Sequence, residues 1–458
     1  MELSKTTTKK LKKLSIFIIL NLLYTYSVAN NIEKIREEFF FDIKNSKIEL
    51  KSDSSNKKNA TLDISDLENL RKYTLLDKKH NEHQPAGDTI FKPSIQVGAL
   101  LHMFAYAQQD GYSAPQTATE PTAWGKGFSL YRARVLVGGQ LSKKGSFFIE
   151  TDLPSIIGSR NADGTKNVKV SQIILDAQYQ HEFTNAFQLV VGKQLVSNNR
   201  NGLQSAASLL TNDFSYFQYP YNMFEDSPLQ GNFGRDLGVN ARGFLFKDKF
   251  EYRLGVFTGR IVDDKDPLRY VGRVAYNFLD KDKDYYYAGT NLGQRKLLTW
   301  GLGYDTQSSY HNYSSDLFLD YPVSSDGSLT FSAAFQYMSG GTSTEKYSFA
   351  TLIPKQTVQF LELGYYFKNA RLQPWVKYEN NQVKAESIQA GAMDIDRFDK
   401  LNSGSVFGGG LNYFFNDFGT NLRLSYTTRS YNVENTATAK FDKQTYGQCW
   451  LQLQFFIF

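Results

Sequence analysis

Basic side chains recur at alternate positions in several segments of the chain, opposite apolar ones. In residues 131–137, Arg132 and Arg134 occupy even positions, whereas the odd positions are apolar or aromatic. A guanidinium pairs with phosphate or carboxylate oxygens through two parallel hydrogen bonds, so arginines aligned on one face could form an anion-binding ladder. Eight bases fit this parity: Arg132, Arg134, Arg242, Arg253, Arg273, Lys377, Arg423 and Arg429.

Acidic side chains share the parity of these bases, which leaves a second interpretation open. Ion pairs between these acids and bases would stabilise the fold and leave that face with little net charge. The number of acids equals the number of bases. The acids are Glu150, Asp152, Asp176, Asp236, Glu251, Asp305, Glu362 and Glu379.

Residues typical of catalytic or metal sites are sparse. Only His80 and His83 have the spacing of metal ligands, in a polar segment where solvated histidines are more common. Cys449 is the only cysteine, which excludes an internal disulfide and a cysteine zinc site. His102 shares the parity of the bases, but Ser129, in the next alternating segment of the chain, has the opposite parity. We therefore expect no catalytic residues, no metal and no cofactor, and an enzyme is the least favoured alternative.

Strict alternation of apolar with polar, small or charged residues indicates β-strands with two unlike faces. An even number of strands is what a closed antiparallel bacterial barrel requires. The alternation predicts sixteen strands, at about 95–107, 129–141, 146–153, 172–181, 187–194, 236–246, 250–259, 270–278, 297–306, 313–321, 329–338, 357–367, 371–379, 406–415, 421–430 and 447–457.

The connecting segments alternate between short and long, which a soluble β-sandwich would not explain. Short periplasmic turns and long external loops are the layout of outer-membrane barrels. Residues 91–458 are therefore predicted to form an all-β, sixteen-stranded antiparallel transmembrane β-barrel. Segment 279–296 is long where a turn is expected, and 307–312 is short where a loop is expected. Tyrosines 285–287 and Phe414-Phe415 could belong to interfacial aromatic girdles.

The N-terminal residues have the pattern of a secretory signal peptide. Five lysines precede an apolar run, Leu14 to Tyr26, and the small-residue site Ser27-Val28-Ala29. Residues 1–29 carry +4 of the formal net charge of +6, so the remaining chain has only +2 and a nucleic-acid partner is not supported. Residues 30–90 are rich in Lys, Asp, Glu, Asn and Ser, and are predicted to be a polar, partly disordered periplasmic extension.

The longest connector, 195–235, is the third external loop by this count. We expect it to fold into the barrel and to form the constriction. Its two bases are Arg200 and Arg235, and it contains no lysine but many amides and aromatics, with Tyr216 and Tyr219 among them. Such a lining could suit neutral solutes, because sugar faces stack on aromatic rings.

Seven segments together have the order and spacing of a known family: 128–134, 189–194, 235–239, 255–259, 373–375, 408–414 and 421–426. They resemble the phosphate-selective porin O/P family, over about residues 91–458. The resemblance implies a sixteen-stranded barrel, a homotrimer, and passive diffusion of small hydrophilic solutes with a preference for anions such as phosphate or polyphosphate. A non-selective or sugar-permeable porin is the alternative.

The same resemblance implies the outer membrane of a Gram-negative bacterium, with its lipid as the surrounding medium. The terminal aromatic, Phe458, resembles the signal that barrel-assembly machinery recognises, although it lies on the opposite parity from Leu451, Leu453, Phe455 and Ile457.

Overall fold

The computed structural model describes residues 91–109, 112, 124–152, 174–196, 198–217, 234–259, 267–340, 355–384, 395–435 and 440–458. The predicted signal peptide and the extension 30–90 lie outside these residues. A short helix, α1, spans Ile395–Asn402, and no described helix is long and apolar enough to cross a membrane. The strands are β1 Ser94–Gln109, β2 Trp124–Gln140, β3 Gly145–Asp152, β4 Ile174–Thr184, β5 Phe187–Leu195, β6 Arg235–Leu245, β7 Phe250–Phe257, β8 Arg269–Asn277, β9 Leu297–Gln307, β10 Tyr310–Pro322, β11 Gly327–Ser339, β12 Gln356–Phe367, β13 Leu372–Val383, β14 Gly404–Asn416, β15 Thr420–Asn435 and β16 Lys440–Ile457.

The strands form one closed barrel. Each strand pairs antiparallel with its neighbours in sequence, and β1 pairs with β16 so that Met103 lies opposite Leu453. Closure leaves no sheet edge whose backbone groups would be unpaired in a bilayer. The sixteen predicted strands are confirmed, and the largest differences are at the external ends of β2, β15 and β16, which extend further than predicted.

The two faces of the wall differ as the alternation predicts. Leu237 and Leu254 point outward and are 58% and 56% exposed, whereas Arg242 and Arg253 point into the lumen and are almost fully buried. An apolar outer face suits lipid and a polar inner face suits water, so the barrel is of the transmembrane, porin type.

The connections follow the predicted alternation, with both irregular segments present. The chain passes from β9 to β10 through Ser308 and Ser309 alone, with Ser308 in the left-handed region at φ 55°. The connection from β8 to β9, by contrast, runs over 278–296 at the end where the other turns are short. The expected girdle at Phe414-Phe415 is half wrong, because Phe415 is exposed but Phe414 is buried against Tyr366.

The outward position of Leu254 near the middle of β7 predicts a depth-dependent effect of charge. Leu254→Arg should lower the free energy of unfolding by about 2–4 kcal/mol, because an arginine at mid-depth is poorly solvated. Leu245→Arg, at the end of β6, should cost only about 0–1 kcal/mol. Denaturant titration in lipid vesicles measures both, and equal costs would contradict the proposed orientation of the wall.

Candidate functional site

The described part of the connector between β5 and β6, residues 196 and 198–217, lies inside the barrel and is called the inner loop. Its backbone carbonyls at Leu209 and Thr211 accept hydrogen bonds from Arg423 at 3.0 and 2.9 Å. Thr211 donates from its hydroxyl to Glu362 at 2.8 Å, and Ser215 donates to Glu379 at 2.6 Å. The inward fold expected of this loop is thus confirmed over these residues.

The connection from β8 to β9, residues 278–296, also enters the lumen and is called the inner turn. Its Tyr287 donates from the backbone to the Leu203 carbonyl and accepts from the backbone of Ser205, both at 2.9 Å. Gly289 donates to the Ser208 carbonyl at 3.0 Å. The inner loop and the inner turn are therefore joined by a parallel β-bridge between Gln204 and Tyr287.

Tyrosines 285–287, expected as an interfacial girdle, belong to this inner turn, so that expectation was wrong. Tyr287 is 1% exposed and its hydroxyl donates to Glu251 at 2.5 Å. Nothing in the residue types at 285–287 separates a girdle from a lumen segment. The sequence signal was the unexpected length of 279–296.

The four residues expected in the constriction have different positions. Arg200 is buried between the rings of Tyr287 and Phe318 and pairs with Asp282 at 2.8 Å. Arg235 is the first residue of β6 and so does not belong to the loop. Tyr216 does belong to the inner loop, and its hydroxyl accepts a hydrogen bond from Arg429 of β15. Tyr219 lies outside the described residues.

Three of the eight candidate bases form a row across adjacent strands. Arg242 of β6 lies opposite Arg253 of β7, which lies opposite Arg273 of β8. This is the geometry expected of a ladder, but each guanidinium has a carboxylate partner. Glu251 accepts from Arg242 and Arg253, both at 2.8 Å, and Asp316 accepts from Arg273 at 2.9 Å.

Three further bases are also ion-paired. Arg134 reaches Glu150 at 2.9 Å and Asp152 at 3.1 Å. Lys377 reaches Glu379 at 2.7 Å. Arg132 reaches Asp213 of the inner loop at 2.7 Å, a partner absent from the expected acids because it lies outside the strands. Burying unpaired charges is costly, so these pairs are what a filled lumen requires.

Asp213 joins the inner loop to β2. Burial alone raises the pKa of its carboxyl, but Arg132 and the hydrogen bonds from Tyr131 and Arg132 outweigh that effect and lower the pKa below its ordinary value. The depressed pKa means that this contact contributes stability at neutral pH and loses it only as the pH falls through that lowered value.

Three other lumen residues were missed. Arg269 lies one residue before the predicted start of its strand, and Asp316 and Asp320 have the inward parity of β10 but were left out of the expected acids. Arg269 bridges Asp236 at 3.1 Å and Asp305 at 2.7 Å, and thereby joins β6, β8 and β9. Asp316 pairs with Arg273, and Asp320 accepts from the backbone of Asn291 in the inner turn at 2.7 Å.

Beside β1–β4 and the periplasmic end of β16, a cavity of about 280 Å³ lies between the wall, the inner loop and the inner turn. Phe458, on the unexpected parity, lines it with its ring centroid 5.6 Å from that of Phe148. Its other lining residues include Leu100, Arg134, Leu136, Glu150, Gln178, Gln204, Ala206, Phe214, Arg235, Tyr286 and Phe456.

His102, the one candidate for an enzyme on this face, contacts no serine among the hydrogen bonds described. Its Nε2 lies 2.8 Å from the Gln454 side-chain oxygen and its Nδ1 lies 3.1 Å from Arg132. Among the described residues, no group of three His, Cys, Asp or Glu side chains could hold a metal ion.

The barrel is similar to solved outer-membrane proteins at low sequence identity. The outer-membrane channel DcaP of Acinetobacter baumannii is 11% identical, with a TM-score of 0.47 over 79% of this chain and 97% of that one. An anion-selective porin from Comamonas acidovorans is 11% identical, with a TM-score of 0.47 over 80% and 100%. OccK8 of Pseudomonas aeruginosa is 9% identical, with a TM-score of 0.41 over 79% and 98%.

No protein-family model and no curated protein sequence matches the chain. The strand order, the register and the two unlike faces of the wall define the fold.

The pairing between inner turn and inner loop predicts that loosening it widens the lumen. A Cβ at position 289 would lie 2.8 Å from the Leu210 backbone nitrogen, so Gly289→Ile should push the two segments apart and raise the single-channel conductance. Replacing 281–295 by an Asn-Gly turn should raise it further. Gly272→Ala, where the added Cβ meets only a Leu254 side chain at 3.3 Å, is the matched control. Unchanged conductance in both test variants would show that the inner turn does not narrow the passage.

Proposed function

We propose that the chain is a passive diffusion porin of the Gram-negative outer membrane for small hydrophilic solutes. The observation that carries this proposal is a closed barrel whose lumen holds a loop and a turn and retains a cavity of about 280 Å³ beside β1–β4. A sixteen-stranded barrel is wide enough for an aqueous channel, and the inner segments narrow it. Solutes would pass between the inner loop and the wall of β1–β4.

The first candidate function is a porin with weak ion selectivity, and it is supported by the pairing of charges in the lumen. Six of the eight candidate bases lie within ion-pair distance of a carboxylate, so their charges are largely cancelled at short range. Selectivity in such a passage would come from its size and its hydrogen-bonding groups. The six are Arg132, Arg134, Arg242, Arg253, Arg273 and Lys377.

A preference for anions such as phosphate or polyphosphate is the second candidate. It is supported by Arg423, whose described hydrogen bonds go to Asn421 and to the inner-loop carbonyls of Ala207, Leu209 and Thr211, and to no carboxylate. It is also what the resemblance to the phosphate-selective porin O/P family implies. The proposed homotrimer and recognition by the barrel-assembly machinery rest on that resemblance and on the terminal aromatic residue.

Reversal potentials in a salt gradient separate the two candidates. Protein in a planar bilayer with KCl at different concentrations on the two sides should give a potential close to zero, and millimolar phosphate should leave the chloride current unchanged. A potential close to the chloride equilibrium value, together with block by phosphate, would favour the anion porin instead. Absence of any conductance would overturn both.

Removing the charge of Asp213 in the inner loop should shift the ion selectivity of the channel toward anions. In Asp213→Asn the Arg132 guanidinium loses its counter-charge, so the permeability ratio of chloride to potassium should rise by a few-fold. Asp248→Asn removes the same charge from a periplasmic turn, where Asp248 pairs with exposed Lys281 at 2.9 Å, and should leave the ratio unchanged. An equal shift in both variants would mean that Asp213 has no special place on the ion path.

A further inference from the structure

The cavity beside β1–β4 combines apolar walls with polar groups that have no hydrogen-bond partner among the described residues. Its walls are mainly apolar and include aromatic rings, among them Phe148, Phe214, Phe456 and Phe458. At about 280 Å³ it lies near the lower end of the volumes of small-molecule sites. Several of these apolar groups pack the inner loop against the wall, since Leu100 and Leu136 form a buried cluster with Ala206 and Ala207. The cavity is the space that this packing leaves open, and its aromatic rings give it an apolar surface.

Three residues that line this cavity each have a buried polar atom without a hydrogen-bond partner in the described part of the chain. They are the Gln178 side-chain oxygen, the Gln204 side-chain nitrogen and the Tyr286 hydroxyl. Gln178 and Gln204 are only 9% and 2% exposed. A buried polar group without a partner is costly. Each of these side chains borders the cavity, so a small rotation would let its polar atom bond to a ligand or to water there.

The chemistry of the three atoms points to a neutral ligand. They offer one acceptor, one donor, and one group that is both, which is the complement of solute hydroxyls. The charged residues at the edge of the cavity are already paired, since Arg134 and Arg235 reach Glu150 at 2.9 and 3.0 Å. An anionic solute would have to displace these carboxylates.

We infer that this cavity is a binding site for a neutral, hydroxylated ring solute, of the class of a monosaccharide. One face of the ring packs on the aromatic side chains, and hydroxyls bond to Gln178, Gln204 and Tyr286. The inference rests on the proposed function, because the site lies on the proposed diffusion path. It makes passage of such solutes saturable, in contrast with simple diffusion.

Block of the ion current by glucose tests the site. Glucose added at the periplasmic end of wild-type channels should reduce the current with a saturable dependence on concentration. Sorbitol, which keeps the hydroxyls but has no ring, should block much more weakly. The double variant Gln178→Leu, Tyr286→Phe should raise the half-blocking concentration about tenfold, as expected for the loss of two hydrogen bonds. Tyr276→Phe, the same change on an outward-facing tyrosine, is the matched control.

The outcomes are distinguishable without relying on the variants. Conductance with no glucose block, or with equal block by glucose and sorbitol, overturns the site and leaves the porin standing, with water as the partner of the three atoms. Block by benzyl alcohol but not by glucose assigns the cavity to apolar solutes and overturns the proposed class. No conductance at all overturns the proposed porin itself.

Discussion

Antiparallel pairing between β1 and β16 satisfies backbone groups that an open sheet would leave unpaired in the hydrocarbon core. The side-chain arrangement follows from that closure. Once the sheet is a cylinder, alternate residues must face lipid or lumen, and a shift of register by one residue would reverse every one of them. Leu254 therefore meets lipid because Arg253 faces the lumen.

Charges on the inner face are then subject to a second constraint. The inner loop and inner turn occupy much of the space in which water would hydrate lumen arginines, so these side chains depend on carboxylates and carbonyls instead. The Arg242–Glu251–Arg253 cluster illustrates this, because the carbonyls of Lys283 and Tyr285 in the inner turn accept from the same two guanidiniums at 2.7 and 3.0 Å. The residues that looked like an anion ladder thus also hold the inner turn in place.

Local periodicity was enough to predict the barrel, because parity is a property of each strand by itself. It predicted the number of strands, the short link near 307–312 and the inward face of Arg132 and Arg423. It could not predict the partners, since pairs such as Arg132 with Asp213 join residues far apart in sequence through a loop with no periodicity. The path of 278–296 into the lumen could not be predicted either, because this segment also lacks periodicity, although its length marked it as unusual. The break in parity at Phe458 corresponds to a ring that packs against Phe148 and lines the cavity.

The inner turn enters the barrel and pairs with the inner loop, and the narrowed lumen depends on this contact. Disulfide formation tests it most directly, because Gln204 and Tyr287 are bridge partners in this pairing and bridged neighbours are within disulfide reach. Gln204→Cys with Tyr287→Cys in a Cys449→Ser background should cross-link under mild oxidation in the membrane, seen as a thiol-reversible shift in the mobility of the unfolded chain. Two cysteines that stay freely alkylatable under the same conditions would contradict the account.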